Sequence, residues 1–171
     1  MLQAGQTAPL FTLPDADMES VNLAKFRGKQ HVVLYFYPRD GTPGCTIQAT
    51  EFSDHEEEFA RHHCVVFGVS PDDCLRHAEF RDANGVSIRL LADPEGRVCE
   101  RYGVLQHPPA ATPHSAGEAH AAADNGAAPR LSIARATFVI DMHGMVRHAL
   151  HGVSPKGHAM QVLGLVKALG R

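Results

Sequence analysis

One thiol in this chain sits where it could act as a nucleophile. The run Pro38-Arg39-Asp40-Gly41-Thr42-Pro43-Gly44-Cys45 follows an unbroken apolar stretch at 31–37 and precedes a helix-like segment at about 46–61. Thr42 is a candidate helix N-cap and Pro43 suits the first helical position, so Cys45 falls at the third. Backbone N–H groups in a first helical turn have no intrahelical partner and carry partial positive charge, which favours thiolate over thiol. The thiolate is the nucleophilic form. The Thr42 hydroxyl, three residues upstream, can turn back toward the same sulfur and meet a small oxygen-bearing substrate as donor and acceptor. The bland alternative is an inert helix-start cysteine, but burial alone does not call for the Pro, Thr and Pro-Gly pattern around it.

The elements that would position this thiol can be read from apolar periodicity and turn residues. The 31–37 run reads as a buried strand. Before it, residues 10–13 and 20–23 flank Pro14-Asp15-Ala16-Asp17 and predict a short hairpin. After it, Phe52 and Phe59 share one face of the 46–61 helix, with Glu56, Glu57 and Glu58 mostly outside. Residues 65–69 read as a strand with Cys64 at its start, 72–83 as a helix entered through Pro71-Asp72, and 89–91 as a short strand. Residues 94–102 predict a helix ending at Gly103. Residues 137–140 and 145–150 flank Asp141-Met142-His143-Gly144 as a second hairpin, and Ser154-Pro155 opens a last helix through Leu169. Alternating strands and helices, then a hairpin and a helix, predict an α/β architecture with a mixed central sheet.

Composition narrows the function. A chain of 171 residues is most simply one domain with a full hydrophobic core. A net charge of −3 leaves no basic footprint for nucleic acid. No apolar run reaches membrane-spanning length, and residues 1–6 lack a basic start and apolar stretch, so the expected location is the cytoplasm. Four cysteines are too few for a disulfide scaffold. Twelve histidines are many, but His62, His63, His77, His114 and His120 sit in polar or loop-like sequence. No histidine pair has zinc-motif spacing with cysteine partners, so no metal is expected. The stretch at about 106–130 is rich in Ala, Pro, His and Gly and predicts an exposed, mobile loop.

Pro38, Thr42 and Cys45, as Pro-x-x-x-Thr-x-x-Cys, resemble the peroxidatic signature of peroxiredoxins. The wider run Tyr35-Phe36-Tyr37-Pro38-Arg39-Asp40 with Thr42-Pro43-Gly44-Cys45-Thr46 is similar to the bacterioferritin comigratory protein subfamily, also called peroxiredoxin Q. The resemblance continues in Phe67-Gly68-Val69-Ser70, in Val98-Cys99-Glu100-Arg101-Tyr102-Gly103-Val104 and in Arg135-Ala136-Thr137-Phe138-Val139-Ile140-Asp141, and lapses only at about 106–131. It implies a thioredoxin-like fold, a mixed sheet flanked by helices with an N-terminal β-hairpin, and a thiol-dependent peroxidase acting on hydrogen peroxide and organic hydroperoxides. It also implies a monomer.

On that reading the Cys45 thiolate attacks the O–O bond and becomes a sulfenic acid. Thr42 and the backbone N–H groups near Gly44 and Cys45 would stabilise the departing oxygen. Arg135, which precedes the 137–140 strand as the family's active-site arginine does, would favour the thiolate and hold the peroxide, with Arg130 a nearby competitor. Pro38 would shield the sulfur from water. Gln48, one turn after Cys45, either bonds within the site or faces solvent. No bound cofactor is implied, because the thiol carries the electrons.

The chain departs from many relatives in lacking a second cysteine at Thr50 or near Arg81. Cys64 reads as a buried small hydrophobe and Cys99 as a non-catalytic feature, which leaves Cys74 as the possible internal resolving thiol. The simpler reading is a one-cysteine cycle completed by thioredoxin, glutaredoxin or glutathione. A thioredoxin-type disulfide oxidoreductase is opposed by Gln48, which stands where Cys-x-x-Cys needs its second cysteine. A non-enzymatic thioredoxin-like binding module is the remaining alternative.

Overall fold

The computed structural model describes residues 1–106 and 131–170. The loop expected at about 106–130 therefore lies outside the described residues but for its first one. Gln106 is in a strand: β6 (Leu105–Gln106) pairs with β7 (Ser132–Ile133), a small antiparallel pair that the sequence reading did not contain.

Five strands form the central sheet: β3 (His31–Phe36), β4 (Cys64–Ser70), β5 (Arg89–Ala92), β8 (Ala136–Ile140) and β9 (Val146–His151), in the order β5-β4-β3-β8-β9. The β3, β4 and β5 strands run parallel, while β8 is antiparallel to both β3 and β9. Every residue of β3 is buried, because helices and loops cover both faces of this central strand. Its side chains alternate between two cores. Val32, Leu34 and Phe36 join Phe11, Phe67, Tyr102 and Phe138 on one face; Val33, Tyr35 and Tyr37 join Cys45, Phe52, Phe59 and Val162 on the other. The expected N-terminal hairpin is present as β1 (Thr12–Pro14) and β2 (Ser20–Asn22).

The segment read as one helix at 46–61 is two: α1 (Pro43–Asp54) and α2 (Glu56–Arg61), broken at His55. Glu56, Glu57 and Glu58 fill the first turn of α2, where carboxylates complement the helix dipole and favour a new N-terminus. Phe52 and Phe59 are nevertheless both fully buried. The next helices are α3 (Cys74–Asn84), capped by Asp73, which accepts from the Arg76 N–H (2.8 Å), and α4 (Arg97–Arg101), followed by Gly103 at φ +73. The last helix, α5 (His158–Leu169), starts three residues later than Pro155 suggested, because its N-cap is Gly157 at φ +80.

One close approach makes a test of this packing. Tyr35 stacks on Phe52 with centroids 4.7 Å apart, and its ring lies over Gly68 of β4, where an added Cβ would sit 2.7 Å from the phenol Cζ and Oη. Gly68→Ala should therefore displace the Tyr35 ring and lower stability by about 1–3 kcal/mol, the usual cost of overpacking a core. Thermal unfolding checks this, and an unchanged midpoint would mean that the ring is not held where it lies.

Candidate active site

The turn at 37–42 leaves the C-terminal end of β3 at the point where the sheet's connections diverge, to β4 on one side and β8 on the other. Ligands in open α/β sheets bind at such switch points. Phe36 pairs with Ala136, and β8 runs antiparallel, so Arg135 enters the sheet beside the place where Tyr37 leaves it. Residues separated by 90 positions are thereby brought to one edge.

Helix α1 begins at Pro43 with Thr42 as N-cap residue, so Cys45 occupies the third helical position. The cap is made by backbone alone. The Thr42 carbonyl accepts from the Thr46 N–H (2.9 Å) and the Thr46 hydroxyl (2.8 Å), and the Thr42 side chain makes no cap hydrogen bond. The Gly44 and Cys45 N–H groups in this first turn have no intrahelical acceptor and suit an acceptor from outside the helix. The Thr42 hydroxyl donates to the Arg39 carbonyl (3.3 Å), so its oxygen, not its proton, is available to the site. Cys45 is 1% exposed. Arg135 Nη2 donates to its Sγ at 3.4 Å, and Arg135 Nη1 donates to Gln48 Oε1 at 2.7 Å. Gln48 is thus buried and within the site, not facing solvent. Pro38 is half-buried at the start of the turn. A Cβ on Gly44 would lie 3.3 Å from both Arg135 Nη2 and Pro155 Cγ, which places those two side chains at the rim over α1's first turn. Arg130 lies outside the described residues.

The other three thiols are held away from the thiolate form. Burial pushes the Cys64 thiol up to about 12, against a backbone hydrogen bond from Val33. Burial and the Asp93 carboxylate push Cys99 higher still. Cys74, partly exposed at the start of α3, is pushed up by burial and by Asp15 and Asp73. Cys45 alone among the four accepts a hydrogen bond from a guanidinium among the described residues.

Two histidines near the site were not distinguished by sequence. His77, read as part of polar sequence, is fully buried. Its ring bonds Asp40 (2.6 Å), and Asp40 and Asp72 lie with it in one group whose possible ligand atoms are within 4.8 Å of one another. These atoms hydrogen-bond among themselves and to neighbouring residues. The available signal was helical spacing, since His77 lies three residues before buried Phe80 on the inner face of α3.

His158 packs edge-on against Phe52, with Nε2 2.7 Å from Thr137 Oγ1 and Nδ1 3.2 Å from Gln161 Oε1. A neutral ring satisfies both, accepting from Thr137 and donating to Gln161. Burial pushes its pKa below the ordinary value, against the opposing influence of Gln161 and Glu51. In the unfolded chain this imidazole takes up a proton at about pH 6.5. The unfolded state then binds more protons than the folded one, so stability falls as the pH drops below that value and levels off once the folded site itself protonates. The urea midpoint should fall between about pH 7.5 and about pH 5.5, and His158→Gln should lessen that fall; an identical fall in the variant would assign it to other groups.

The comparisons with known proteins identify the family of the chain. The AhpC/TSA family model matches residues 4–149. Peroxiredoxin Bcp of Escherichia coli K12 is 34% identical over 166 residues, covering 97% of this chain and 96% of the relative, and Peroxiredoxin Bcp of Bacillus subtilis is 33% identical with the same coverage. Among solved structures, peroxidoxin BcpB from Mycobacterium tuberculosis superposes with a TM-score of 0.84 at 28% identity over 100% of both chains. Peroxiredoxin Q from Xanthomonas campestris gives a TM-score of 0.77 at 28% identity, covering 92% of this chain and 90% of that one. The fold is thioredoxin-like, and among the described residues no helix is long and apolar enough to cross a membrane. The chain belongs to the AhpC/TSA family and is a thiol-dependent peroxidase, a peroxiredoxin.

Proposed function

We propose that Cys45 is the peroxidatic thiol of a one-cysteine cycle that reduces hydrogen peroxide and organic hydroperoxides. The contact between Arg135 Nη2 and Cys45 Sγ at the start of α1 carries this reading. The Cys45 thiolate attacks the terminal peroxide oxygen, the O–O bond breaks, and the departing oxygen takes a proton to leave as water or an alcohol. Cysteine is oxidised to sulfenic acid and the peroxide is reduced by two electrons. Arg135 and the free N–H groups of α1's first turn lie where negative charge develops. Thr42 offers its oxygen to the peroxide proton, and Pro38 keeps the sulfur from bulk water.

An external thiol then displaces the sulfenic oxygen as water to give a mixed disulfide, and a second thiol releases Cys45 as its own disulfide forms. Thioredoxin, glutaredoxin and glutathione are the candidate donors. Several features favour an external donor over Cys74. Arg81, near the place of a second cysteine in many relatives, is paired with Asp17 (2.9 Å) and Asp82 (3.0 Å). Thr50 bonds back to the Thr46 carbonyl (2.9 Å). Cys74 feels Asp15, which bridges to Leu91 and pairs with Arg89 of β5, whereas Cys45 faces Arg135 at β8, with β4 and β3 between. We place the enzyme in the cytoplasm as a single-domain monomer.

The test is intact mass spectrometry of the reduced protein within seconds of one equivalent of hydrogen peroxide, with and without a sulfenic-acid trap. Trapping confined to Cys45, no internal disulfide, and wild-type turnover of Cys74→Ser are expected. A Cys45–Cys74 disulfide in the peroxide-treated monomer would overturn the one-cysteine cycle. Absence of selective oxidation would favour the binding module.

A further inference from the structure

Two rungs join helix α1 to strand β8, and the proposed chemistry uses only the first. In that rung Arg135, just before β8, reaches Cys45 and Gln48. The second rung lies one repeat further along both elements. Thr137 follows Arg135 by two residues, so the two side chains leave one face of the strand about 6.8 Å apart. Phe52 follows Gln48 by four residues, on the same face of α1 and about 6 Å further along it. His158, the first residue of α5, fills the space between Thr137 and Phe52. Its Nε2 lies 2.7 Å from Thr137 Oγ1, its ring meets Phe52 edge-on with centroids 5.9 Å apart, and its Nδ1 lies 3.2 Å from Gln161 Oε1. Gln48, Phe52, Thr137 and His158 are each no more than 2% exposed, so solvent does not replace the Thr137–His158 bond once it is lost.

The direction of that bond follows from its atoms. An amide oxygen only accepts, so Nδ1 carries hydrogen toward Gln161 and the neutral ring takes the Thr137 hydroxyl proton at Nε2. Burial lowers the ring's pKa, Gln161 and Glu51 oppose this, and Arg135 lowers it further, which puts the guanidinium within electrostatic reach of the imidazole. A neutral ring adds no second cation beside Arg135. The same end of α5 meets α1 at two more places. The Gly157 N–H donates to Glu51 Oε1 (2.9 Å), and Pro155 stands with Arg135 Nη2 over Gly44. Helix α1, strand β8 and helix α5 therefore converge at His158, one rung from the sulfur.

We propose that the Thr137–His158 hydrogen bond fixes α1 against β8 and so sets the Arg135 guanidinium on Cys45, which makes Thr137 and His158 positioning residues for peroxide reduction. A donor lowers the barrier only if it is already aimed at the developing charge. A displacement of about 1 Å is enough to cost up to about 10²-fold in rate. Gln48 orients the guanidinium but moves with α1, whereas the second rung restrains α1 itself. The proposal rests on the reading of Cys45 as the peroxidatic thiol. Because the rung acts through Arg135, its effect must vanish when Arg135 is absent, and a general loss of structure has no such dependence.

The experiment measures single-turnover oxidation of Cys45 by hydrogen peroxide in the full chain. Thr137→Val keeps a β-branched side chain on β8 and removes the hydroxyl, while Thr137→Ser keeps the hydroxyl and removes the methyl group. Each is made with Arg135 present and with Arg135→Ala. With Arg135 present, Thr137→Val should slow oxidation by about tenfold, and Thr137→Ser should match wild type. In the Arg135→Ala background Thr137→Val should change the rate by less than about twofold, because residues that act as one unit are not additive. Circular dichroism checks folding. If Thr137→Val does not fold, His158→Phe, which keeps a ring on Phe52 without the bond, takes its place with the same expected rates. Equal slowing in both backgrounds, no slowing in either, or a Thr137→Ser as slow as Thr137→Val overturns the positioning role and leaves the peroxidase reading standing. If Arg135→Ala oxidises as fast as wild type, there is no guanidinium effect to position and the proposal falls with it. Failure of the wild-type protein to oxidise at Cys45 overturns the peroxidase reading itself, whatever the variants do.

Discussion

Replacing Cys45 with serine should abolish peroxide consumption, by more than about 10³-fold, the scale of loss when a catalytic nucleophile is removed. The substitution exchanges one buried atom for a smaller one, and Arg135 Nη2 remains in place to donate to the new hydroxyl. Stability should therefore change by only about 1 kcal/mol, the net worth of a typical hydrogen bond. What is lost is the sulfur nucleophile, since a serine hydroxyl is not ionised at neutral pH and does not cleave O–O bonds. No other thiol is placed to substitute. Cys64 and Cys99 are buried with their thiols pushed up, and Cys74 sits beside Asp15 and Asp73. Peroxide consumption and the far-ultraviolet circular dichroism spectrum, measured on one preparation, check both halves. Turnover that survives in a folded variant would move the chemistry to another residue and end this account of the site.

The local half of the site could be read from the sequence because it is built from neighbours. β3 is legible as a continuous apolar run because both its faces are covered, and the Thr42-Pro43-Gly44 punctuation places Cys45 in a first helical turn. The distant half is different in kind. Arg135 reaches Cys45 through the register that pairs Phe36 with Ala136, and nothing local to residue 135 encodes that pairing. Only the resemblance of the surrounding strand pointed to it. The Asp40–His77 contact spans 37 positions and three elements, and its one local trace is the shared helix face with Phe80. Gln48 shows the boundary between the two. Its helical position is legible, but whether that face meets solvent or Arg135 depends on where β8 lies. The helix break at His55 was legible in principle, because three consecutive glutamates fit a helix start better than a helix middle.

Arg135→Ala should slow Cys45 oxidation by about 10²–10³-fold, the loss found when a preorganised donor to a developing oxyanion is removed. The geometry supports more than a charge effect. One guanidinium bonds the sulfur through Nη2 and the buried Gln48 amide through Nη1, so its plane is fixed before substrate arrives. A lysine ammonium is a compact point charge without that fork. Arg135→Lys should therefore recover part of the loss, remaining about tenfold below wild type, the cost of one lost charge-assisted hydrogen bond. Gln48→Ala keeps the guanidinium but frees its orientation, and should reduce the rate by about tenfold or less. Single-turnover oxidation measured by stopped flow isolates this step from the later reduction by external thiol. An order of Ala slowest, then Lys, then Gln48→Ala, then wild type identifies a held fork. If Arg135→Lys matches wild type, charge alone suffices and the role given to Gln48 is wrong; if Arg135→Ala matches it, the guanidinium takes no part in breaking the O–O bond.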